Sequence, residues 1–314
     1  MRPVSFSLRP PAPFRLDLTV WALRRRPHNR IDVWDGRTYR RTFRWRDQPV
    51  EVAVVQTGPP ETPELQVSVH GSTSGFEAET AFARILSRML GWELDLAQFY
   101  RFAARRPFLG SLASRWRGFR PPRFPTLFET VVNGIACLQV SPEAGISLIN
   151  RLAETYGWTR FSPAGRTSQI PLSFPEAHDL VGLDLADLRR LGFSRTKARA
   201  VIDLARLASL GAIRLEALEY LDEDEARRFL ARLLGAGRGI IDYMLLRGLG
   251  RWQFFPLHDA GVRPILARWF HLSEPLDYQG VRRLLQPWQP YLGLVYFLGL
   301  LESLAAEGLV TPSL

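Results

Sequence analysis

Hydrophobic and polar positions alternate along much of the first 75 residues, and this pattern predicts β-strands. The clearest case is Leu65, Val67 and Val69, which are separated by Gln66 and Ser68. A period of two places apolar side chains on one face of a strand and polar side chains on the other. On this basis we predict a turn at Asp35-Gly36 and four strands, at residues 14–23, 42–45, 50–55 and 65–69. The start of the chain is therefore expected to form an antiparallel sheet with one wet face.

After Gly75 the apolar positions recur with the period of a helix, and Gly91 divides two predicted helices at residues 76–90 and 94–104. The next distinctive segment, residues 115–125, is rich in arginine and proline. It is expected to connect two domains. The sequence leaves open whether this segment is a solvated linker or a direct contact for phosphate groups.

From Thr126 onward, helix start signals follow one another. Side chains that cap helices stand at Thr126, Ser141 and Ser194, a further helix is expected to open at Ser173, and acidic residues begin another at Asp222. We therefore predict an α+β fold, in which an N-terminal antiparallel β-sheet with helices precedes an all-α core. The predicted domains are residues 1–120, which are β-rich with flanking helices, and residues 121–314, which are all-α.

Composition excludes several classes of site. Cys137 is the only cysteine among 314 residues, so a disulfide within the chain, a cysteine-held zinc ion and an iron–sulfur cluster are all excluded. The five histidines lack the spacing of metal ligands, and no cofactor is expected. No run of 18 apolar residues predicts a membrane span, and the N-terminus lacks the pattern of a secretion signal. We expect a monomer in the cytosol.

The formal net charge of +10 favours a polyanionic partner. Lys197 is the only lysine, so nearly all of the positive charge belongs to arginine. Guanidinium groups suit bidentate contacts with phosphate. An arginine-rich composition that reflects codon usage would give the same charge, so the charge alone does not identify the partner.

The most informative stretch is the sequence Leu-Leu-Gly-Ala-Gly-Arg-Gly at residues 233–239, which lies between two predicted helices. Glycines at 235 and 237 allow a sharp turn and expose successive backbone N–H groups at a helix N-terminus, where the dipole favours an anion such as a DNA phosphate. This is typical of a helix-hairpin-helix that binds DNA. A tight turn between two packed helices could use the same glycines.

The surroundings of the hairpin resemble the HhH-GPD superfamily of DNA glycosylases, and most closely its DNA-3-methyladenine glycosylase II family. The resemblance rests on Asp259, eleven residues after Gly248, and on the segments 243–248 (Tyr-Met-Leu-Leu-Arg-Gly), 128–141 and 287–291 (Pro-Trp-Gln-Pro-Tyr). It covers roughly residues 11–308. It implies a monofunctional base-excision enzyme that flips a damaged base, expected to be an alkylated purine, out of double-stranded DNA and hydrolyses its N-glycosidic bond.

The resemblance also implies residue roles. Asp259 is expected to be the catalytic carboxylate, which stabilises positive charge on the sugar and orients water; it would also suit a helix N-cap. Enzymes of this superfamily with coupled strand cleavage have a lysine just after the hairpin glycines, and here that position is Gly239. A lysine-based lyase step is therefore not expected. Backbone carbonyls of such hairpins can also hold a monovalent cation.

The remaining implied site residues bind DNA or the flipped base. Gln139 matches the position of a side chain that wedges into the duplex, although a polar residue at a helix end would look the same. The predicted DNA-binding residues are Gln139, Leu234, Gly235, Ala236, Gly237, Arg238 and Gly239. The predicted base pocket consists of Tyr243, Trp288, Trp252 and Phe255, with Tyr291 as a further candidate, although aromatic residues at helical spacing are as often core.

Gly239 also stands where the family often has an aromatic residue, Leu234 where it often has proline, and Ala236 where isoleucine or valine is usual. These departures leave the damaged base open. A glycosylase for 8-oxoguanine, hypoxanthine or uracil, and a non-catalytic protein that senses lesions in DNA, are the alternatives.

Overall fold

The computed structural model describes residues 3–71, 75–158, 170–234, 238–256, 263–273 and 276–313. These residues form two compact units. The first consists of Met1–Pro125, Trp158–Phe174 and Leu301–Leu314, and the second of Thr126–Gly157 and Pro175–Leu300. The first unit thus contains the predicted N-terminal domain, residues 1–120, and also two later segments that the predicted division assigned to the helical remainder.

The first unit contains a five-stranded antiparallel sheet with the strand order β1-β5-β4-β3-β2. The apolar side of the sheet is well defined, because Val52 and Val54 of β4 pair with Val69 and Val67 of β5 and all four are buried. The strands are β1 (Val4–Leu8), β2 (Val33–Trp34), β3 (Thr38–Trp45), β4 (Gln48–Gln56) and β5 (Leu65–His70). The predicted sheet is confirmed, together with the strands at residues 42–45, 50–55 and 65–69.

The predicted strand at residues 14–23 is wrong, because this segment forms helix α1 (Leu16–Arg24). Eight of the nine residues of α1 are buried, including the polar Thr19. A helix that is buried on all sides has no polar stripe, so its leucines can alternate with other residues by chance and imitate a strand. Strand β1 was not predicted, although Phe6 is buried in it.

The remaining helices of the first unit are α2 (Gly75–Met89), α3 (Leu96–Ala104) and α4 (Pro107–Arg115). The two predicted helices on either side of Gly91 are confirmed. Gly91 has a φ of 69°, and a Cβ at this position would lie 2.3 Å from the carbonyl oxygen of Pro121. Glycine is therefore required between α2 and α3.

The basic segment at residues 115–125 is largely buried, although Arg115 and Arg117 are half exposed. Arg120 is only 2% exposed, and its guanidinium donates to the carbonyl oxygens of Leu94 at 2.8 Å and Pro11 at 3.2 Å. Burial lowers the pKa of Arg120. Arg123 is also buried and donates to Glu93. Both interpretations were wrong for these two arginines, because the aromatic residues on either side of them, Phe119 and Phe124, are buried in the core and the arginines are buried with them.

The second unit is helical. Its helices are α5 (Leu127–Cys137), α6 (Pro142–Tyr156), α7 (Ala177–Leu180), α8 (Leu185–Arg190), α9 (Arg195–Ser209), α10 (Glu223–Leu234), α11 (Arg238–Arg247), α12 (Arg263–Trp269), α13 (Tyr278–Leu285) and α14 (Leu292–Ala306), with 3₁₀ turns at Leu215–Tyr220 and Gln286–Trp288. The last six residues of α14 belong to the first unit. The predicted α+β fold with an all-α core is confirmed.

Most of the predicted helix caps are confirmed. The side chains of Thr126, Ser141 and Ser194 each accept a hydrogen bond from the backbone N–H three residues later. Asp222, which was predicted only to begin a helix with acidic residues, accepts from Glu225 in the same way. Ser173 is not a cap. Its hydroxyl instead accepts from the backbone N–H of Trp158 at 2.6 Å, and Glu176 caps α7.

In the described part of the chain, no helix is both long enough and apolar enough to span a membrane. Nor do three or more His, Cys, Asp or Glu side chains come together there as a metal site would require.

A buried ion pair in the first unit gives a prediction about stability. Asp32 accepts from Arg41 at 2.8 Å and from the hydroxyl of Tyr39 at 2.7 Å, and both charged side chains are at most 3% exposed. Asp32→Ala leaves the guanidinium buried without this partner, which should cost about 3–5 kcal/mol of unfolding free energy. Urea denaturation measures this loss. Glu61→Ala is the control, because Glu61 pairs with Arg117 at 60% exposure and should change stability by at most about 1 kcal/mol. Equal effects of the two substitutions would contradict the prediction.

Candidate nucleic-acid interface

Helices α5 and α11 pack closely because two glycines stand at their contact. A Cβ on Gly134 of α5 would lie 3.3 Å from the ring of Tyr243 in α11. A Cβ on Gly248, directly after α11, would lie 2.9 Å from both Leu127 and Thr130. Gly248 would also meet a backbone oxygen at 2.7 Å, so a larger residue cannot be accommodated by a side-chain shift alone. The Arg-Gly pair that ends the resembling motif therefore serves helix packing.

The same contacts determine the direction of the helices. The start of α5, at Leu127, lies beside the end of α11, whereas Gly134, nearer the end of α5, lies beside Tyr243 and Ile240, nearer the start of α11. The two helices are therefore antiparallel. The turn that follows α5 and the start of α11, which the hairpin precedes in sequence, consequently face the same end of the second unit.

Gln139 lies in that turn. It is exposed and has a φ of 54°, in the left-handed region that non-glycine residues rarely adopt. The described contacts thus place Gln139 at a surface and at the same end as the hairpin. Its predicted role as a wedge is compatible with this position but stays a prediction.

The hairpin itself lies partly outside the described residues, because Gly235, Ala236 and Gly237 are not described. The structure gives the helical backbone of Leu234, Arg238 and Gly239 but not the surroundings of their side chains. The two helices of the hairpin are joined by an ion pair, in which Arg227 of α10 donates to Asp242 of α11 at 2.9 Å. The carboxylate of Asp242 is only 3% exposed. The sequence analysis missed this ion pair. A single buried acidic residue such as Asp242 does not change the periodic pattern of apolar positions, so nothing in the sequence indicates its partner.

The start of α9 also lies at the hairpin end. A cavity of about 410 Å³ is lined by Leu233, two residues before the hairpin, and by Arg195, Thr196 and Arg199 of α9. The side chain of Lys197 in the same turn of α9 reaches the end of α5, where its amine donates to the carbonyl oxygen of Ala136 at 2.9 Å. Burial lowers the pKa of Lys197, and the neighbouring Cys137 opposes this effect. The cavity lining also includes Asp203, which accepts from Arg199 at 3.0 Å, so Arg195 is the one arginine of this lining without a described ion pair.

Asp259 lies outside the described residues, but the chain that leads to it is well anchored. Gly293 donates to the carbonyl oxygen of Trp252 at 2.7 Å. The guanidinium of Arg227 lies 4.4 Å from the ring centre of Phe254, and Phe255 packs edge-on against Tyr296. The approach to Asp259 is therefore fixed by contacts with α10 and α14, up to the last described residue.

The predicted pocket aromatics occupy different surroundings. Tyr243 is 7% exposed and lies between α5 and the buried Arg247, whose guanidinium is 5.7 Å from its ring. Trp288 is 8% exposed and packs on Phe270. Trp252 and Tyr291 are half-buried. Their role in binding a base stays a prediction, and burial of this degree also suits core residues.

A second cavity, of about 580 Å³, lies on the other side of α11 from Gly134. Its polar lining includes Arg227, Asp242 and Gln289, and Phe255 contributes to its apolar wall. Phe255 is thus the one predicted pocket residue that lines this cavity among the described residues. Neighbouring positions in α11 face different sides, since Asp242 lines the cavity and Tyr243 faces α5.

Comparison with known proteins agrees with the resemblance seen in the sequence. Residues 132–290 match the family described as HhH-GPD superfamily base excision DNA repair protein. A DNA-3-methyladenine glycosylase of Bacillus subtilis is 27% identical over 172 residues, which are 54% of this chain and 54% of the relative. The chain spans about half the length of the curated relatives it matches.

Solved structures share the fold. A 3-methyladenine DNA-glycosylase from Archaeoglobus fulgidus superposes with a TM-score of 0.79 at 21% identity, covering 95% of this chain and 98% of that one. The apo form of an 8-oxoguanine glycosylase/lyase from Clostridium acetobutylicum gives 0.70 at 17% identity, with 95% of each chain covered. At these identities the similarity concerns the fold alone.

The packing of α5 on α11 gives a second prediction. Gly248→Ala should lower the unfolding free energy by about 1–3 kcal/mol, because the added methyl group clashes with backbone and with two side chains. Gly182→Ala is a matched control, since nothing lies within 4 Å of a Cβ there, and its effect should not exceed about 1 kcal/mol. Thermal and urea unfolding measure both. A Gly248→Ala variant as stable as the control would show that this contact is looser than described.

Proposed function

Because the chain belongs to the HhH-GPD superfamily of base excision DNA repair proteins, we propose that it is a DNA glycosylase acting on double-stranded DNA, with alkylated purines as its substrates. The observation that carries this proposal is the antiparallel packing of α5 on α11, which presents Gln139 and the hairpin at one end. The name of the Bacillus subtilis relative supports the substrate class. The monomeric state and the cytosolic location stay predictions.

In the proposed reaction, the C1′–N bond breaks and its electron pair leaves with the damaged base. The sugar becomes cationic in the transition state, and the carboxylate of Asp259 stabilises that charge. Water then adds at C1′ and loses a proton, for which the carboxylate is the nearby base. An alkylated purine that is already cationic leaves more readily, because its departure needs no prior protonation.

Base release requires the nucleotide to leave the helical stack, and Gln139 is proposed to fill the gap. The exposed, left-handed turn that carries Gln139 supports this role. The flipped base would stack on aromatic rings, for which Tyr243, Trp288, Trp252 and Phe255 are the candidates. A cationic base would gain about 0.5–2 kcal/mol from each well-placed ring.

We propose water as the nucleophile because the chain offers no lysine at the hairpin. Gly239 stands at the position where a lyase would have its amine. The amine of Lys197, the one lysine of the sequence, instead donates a hydrogen bond to the carbonyl oxygen of Ala136 at the end of α5. A Schiff base with C1′ would require this amine to leave its acceptor.

The role of Asp259 gives the third prediction. Asp259→Asn should reduce base release from methylated duplex DNA by about 100-fold or more, because the amide carries no charge to stabilise the sugar. DNA affinity should change little. Single-turnover base release and fluorescence anisotropy measure the two quantities, and Asp47→Asn, an exposed acid of the first unit, is the control. A chain that binds DNA but releases none of the tested bases would instead be a lesion sensor.

Testing duplexes with 7-methylguanine, 8-oxoguanine, hypoxanthine and uracil in parallel identifies the substrate.

The absence of a hairpin lysine gives the fourth prediction. Product DNA should remain unbroken until alkali is added, and borohydride should trap no covalent complex with the protein, because no amine attacks C1′. Denaturing gels of the reaction before and after alkali treatment test this. Strand breaks without alkali would disprove the monofunctional mechanism while leaving base release intact.

A further inference from the structure

The turn that carries Gln139 is conformationally costly. A non-glycine residue in the left-handed region costs about 1–2 kcal/mol, so the surrounding contacts must hold Gln139 there. The side chain of Gln139 is exposed and therefore contributes little to keeping its backbone in this conformation. The turn is only three residues long, from Leu138 to Val140, so its conformation depends on where the two adjoining helices end.

One side of the turn is held by the N-terminus of α6. Ser141 caps this helix, since its hydroxyl accepts from the backbone N–H of Ala144 at 3.2 Å. A Cβ on Gly145 would lie 2.6 Å from the sulfur of Cys137 and 3.0 Å from its Cα. The first turn of α6 therefore rests directly on the last residue of α5.

The other side is held by Lys197. Its amine donates to the carbonyl oxygen of Ala136, the penultimate residue of α5, and among the residues that the structure describes this is its only acceptor. A cation at a helix C-terminus also interacts favourably with the helix dipole. The amine is half-buried, so the hydrogen bond is shielded from competing water.

The backbone of Lys197 is itself held in place at the start of α9. Ser194 caps α9 by accepting from the backbone N–H of Lys197, and α9 lines the cavity beside the hairpin through Arg195 and Arg199. The side chain of Lys197 thus connects the rigid start of α9 to the end of α5.

We propose that Lys197 is a positioning residue for DNA distortion: by holding the end of α5 it keeps the Gln139 turn in the shape that inserts into the duplex. This inference rests on the proposed function, because it takes Gln139 as the inserted side chain. It assigns to the single lysine a role in base unstacking rather than in covalent catalysis.

The test measures unstacking directly, without base release. The probe is 2-aminopurine in a fully paired duplex, whose fluorescence rises when the base leaves the stack. Lys197→Met should reduce the equilibrium constant for unstacking in the bound complex about tenfold, as expected from the loss of one hydrogen bond to a charged group. Lys197→Arg, which retains a cation and donors, should recover most of the signal.

Two controls separate positioning from general damage to the fold. Arg206→Met removes a similar bond at the other end of α9, where the guanidinium donates to the carbonyl oxygen of Leu183 at 3.1 Å, and should leave the fluorescence unchanged. On a duplex in which 2-aminopurine stands opposite an abasic-site analogue and is already unstacked, Lys197→Met should have little effect.

A double-mutant cycle completes the test. If Lys197 acts through Gln139, Lys197→Met should have little further effect in a Gln139→Ala background. An undiminished effect in that background, or an equal loss on both duplexes, would overturn the inference. A chain that unstacks 2-aminopurine in a Lys197-dependent way but releases no damaged base would refute the glycosylase proposal and leave the positioning role standing.

Discussion

The close approach of α5 and α11 is the constraint on which the interface depends. Two positions without a Cβ, Gly134 and Gly248, allow the helices to meet. Their antiparallel contact brings the turn after one helix to the same end as the hairpin before the other. Elements about a hundred residues apart in sequence thereby form one surface. Separating the helices by the width of a methyl group would disturb the Gln139 turn and the hairpin together.

The positive charge of the chain divides into two populations. One population is almost completely buried, and its guanidinium groups make their contacts inside the protein; it includes Arg41, Arg120 and Arg247. Arg120 satisfies backbone carbonyls, whereas Arg247 lies between the rings of Tyr243 and Phe297. The formal charge of +10 therefore overstates what is available to DNA. Other arginines are exposed, among them Arg195 and Arg199 at the start of α9, which line the same cavity as Leu233.

The sequence was most informative where one face of an element is solvated. The alternation in β5 and the capping residues of α5, α6 and α9 depend on a contrast between buried and exposed positions, and these were predicted correctly. It failed where that contrast vanishes, as in α1, which is buried on nearly all sides. It also failed for Arg120 and Arg123, because neither the solvated linker nor the phosphate contact allowed for a buried guanidinium, which is possible when hydrogen-bond acceptors surround it.

The candidate site divides in the same way. The hairpin and Asp259 carry local signals, namely glycine spacing and distance along the chain, and could be proposed from the sequence. Contacts between distant residues leave no such signal. The hydrogen bond from Lys197 to Ala136 joins α9 to α5, which are not adjacent in sequence. The ion pair of Arg227 with Asp242 joins α10 to α11, which are connected in sequence only through the hairpin. The cavity that includes Phe255 likewise exists only because α10, α11 and α13 meet.

Two of these long-range contacts involve helices from which proposed functional segments depart. Lys197 holds the end of α5 before Gln139, and Arg227 ties together the two helices that flank the hairpin. The same Arg227 lies over Phe254, on the approach to Asp259. A single guanidinium therefore contacts both Asp242 of α11 and Phe254, and it joins the helix after the hairpin to the described part of the chain before Asp259.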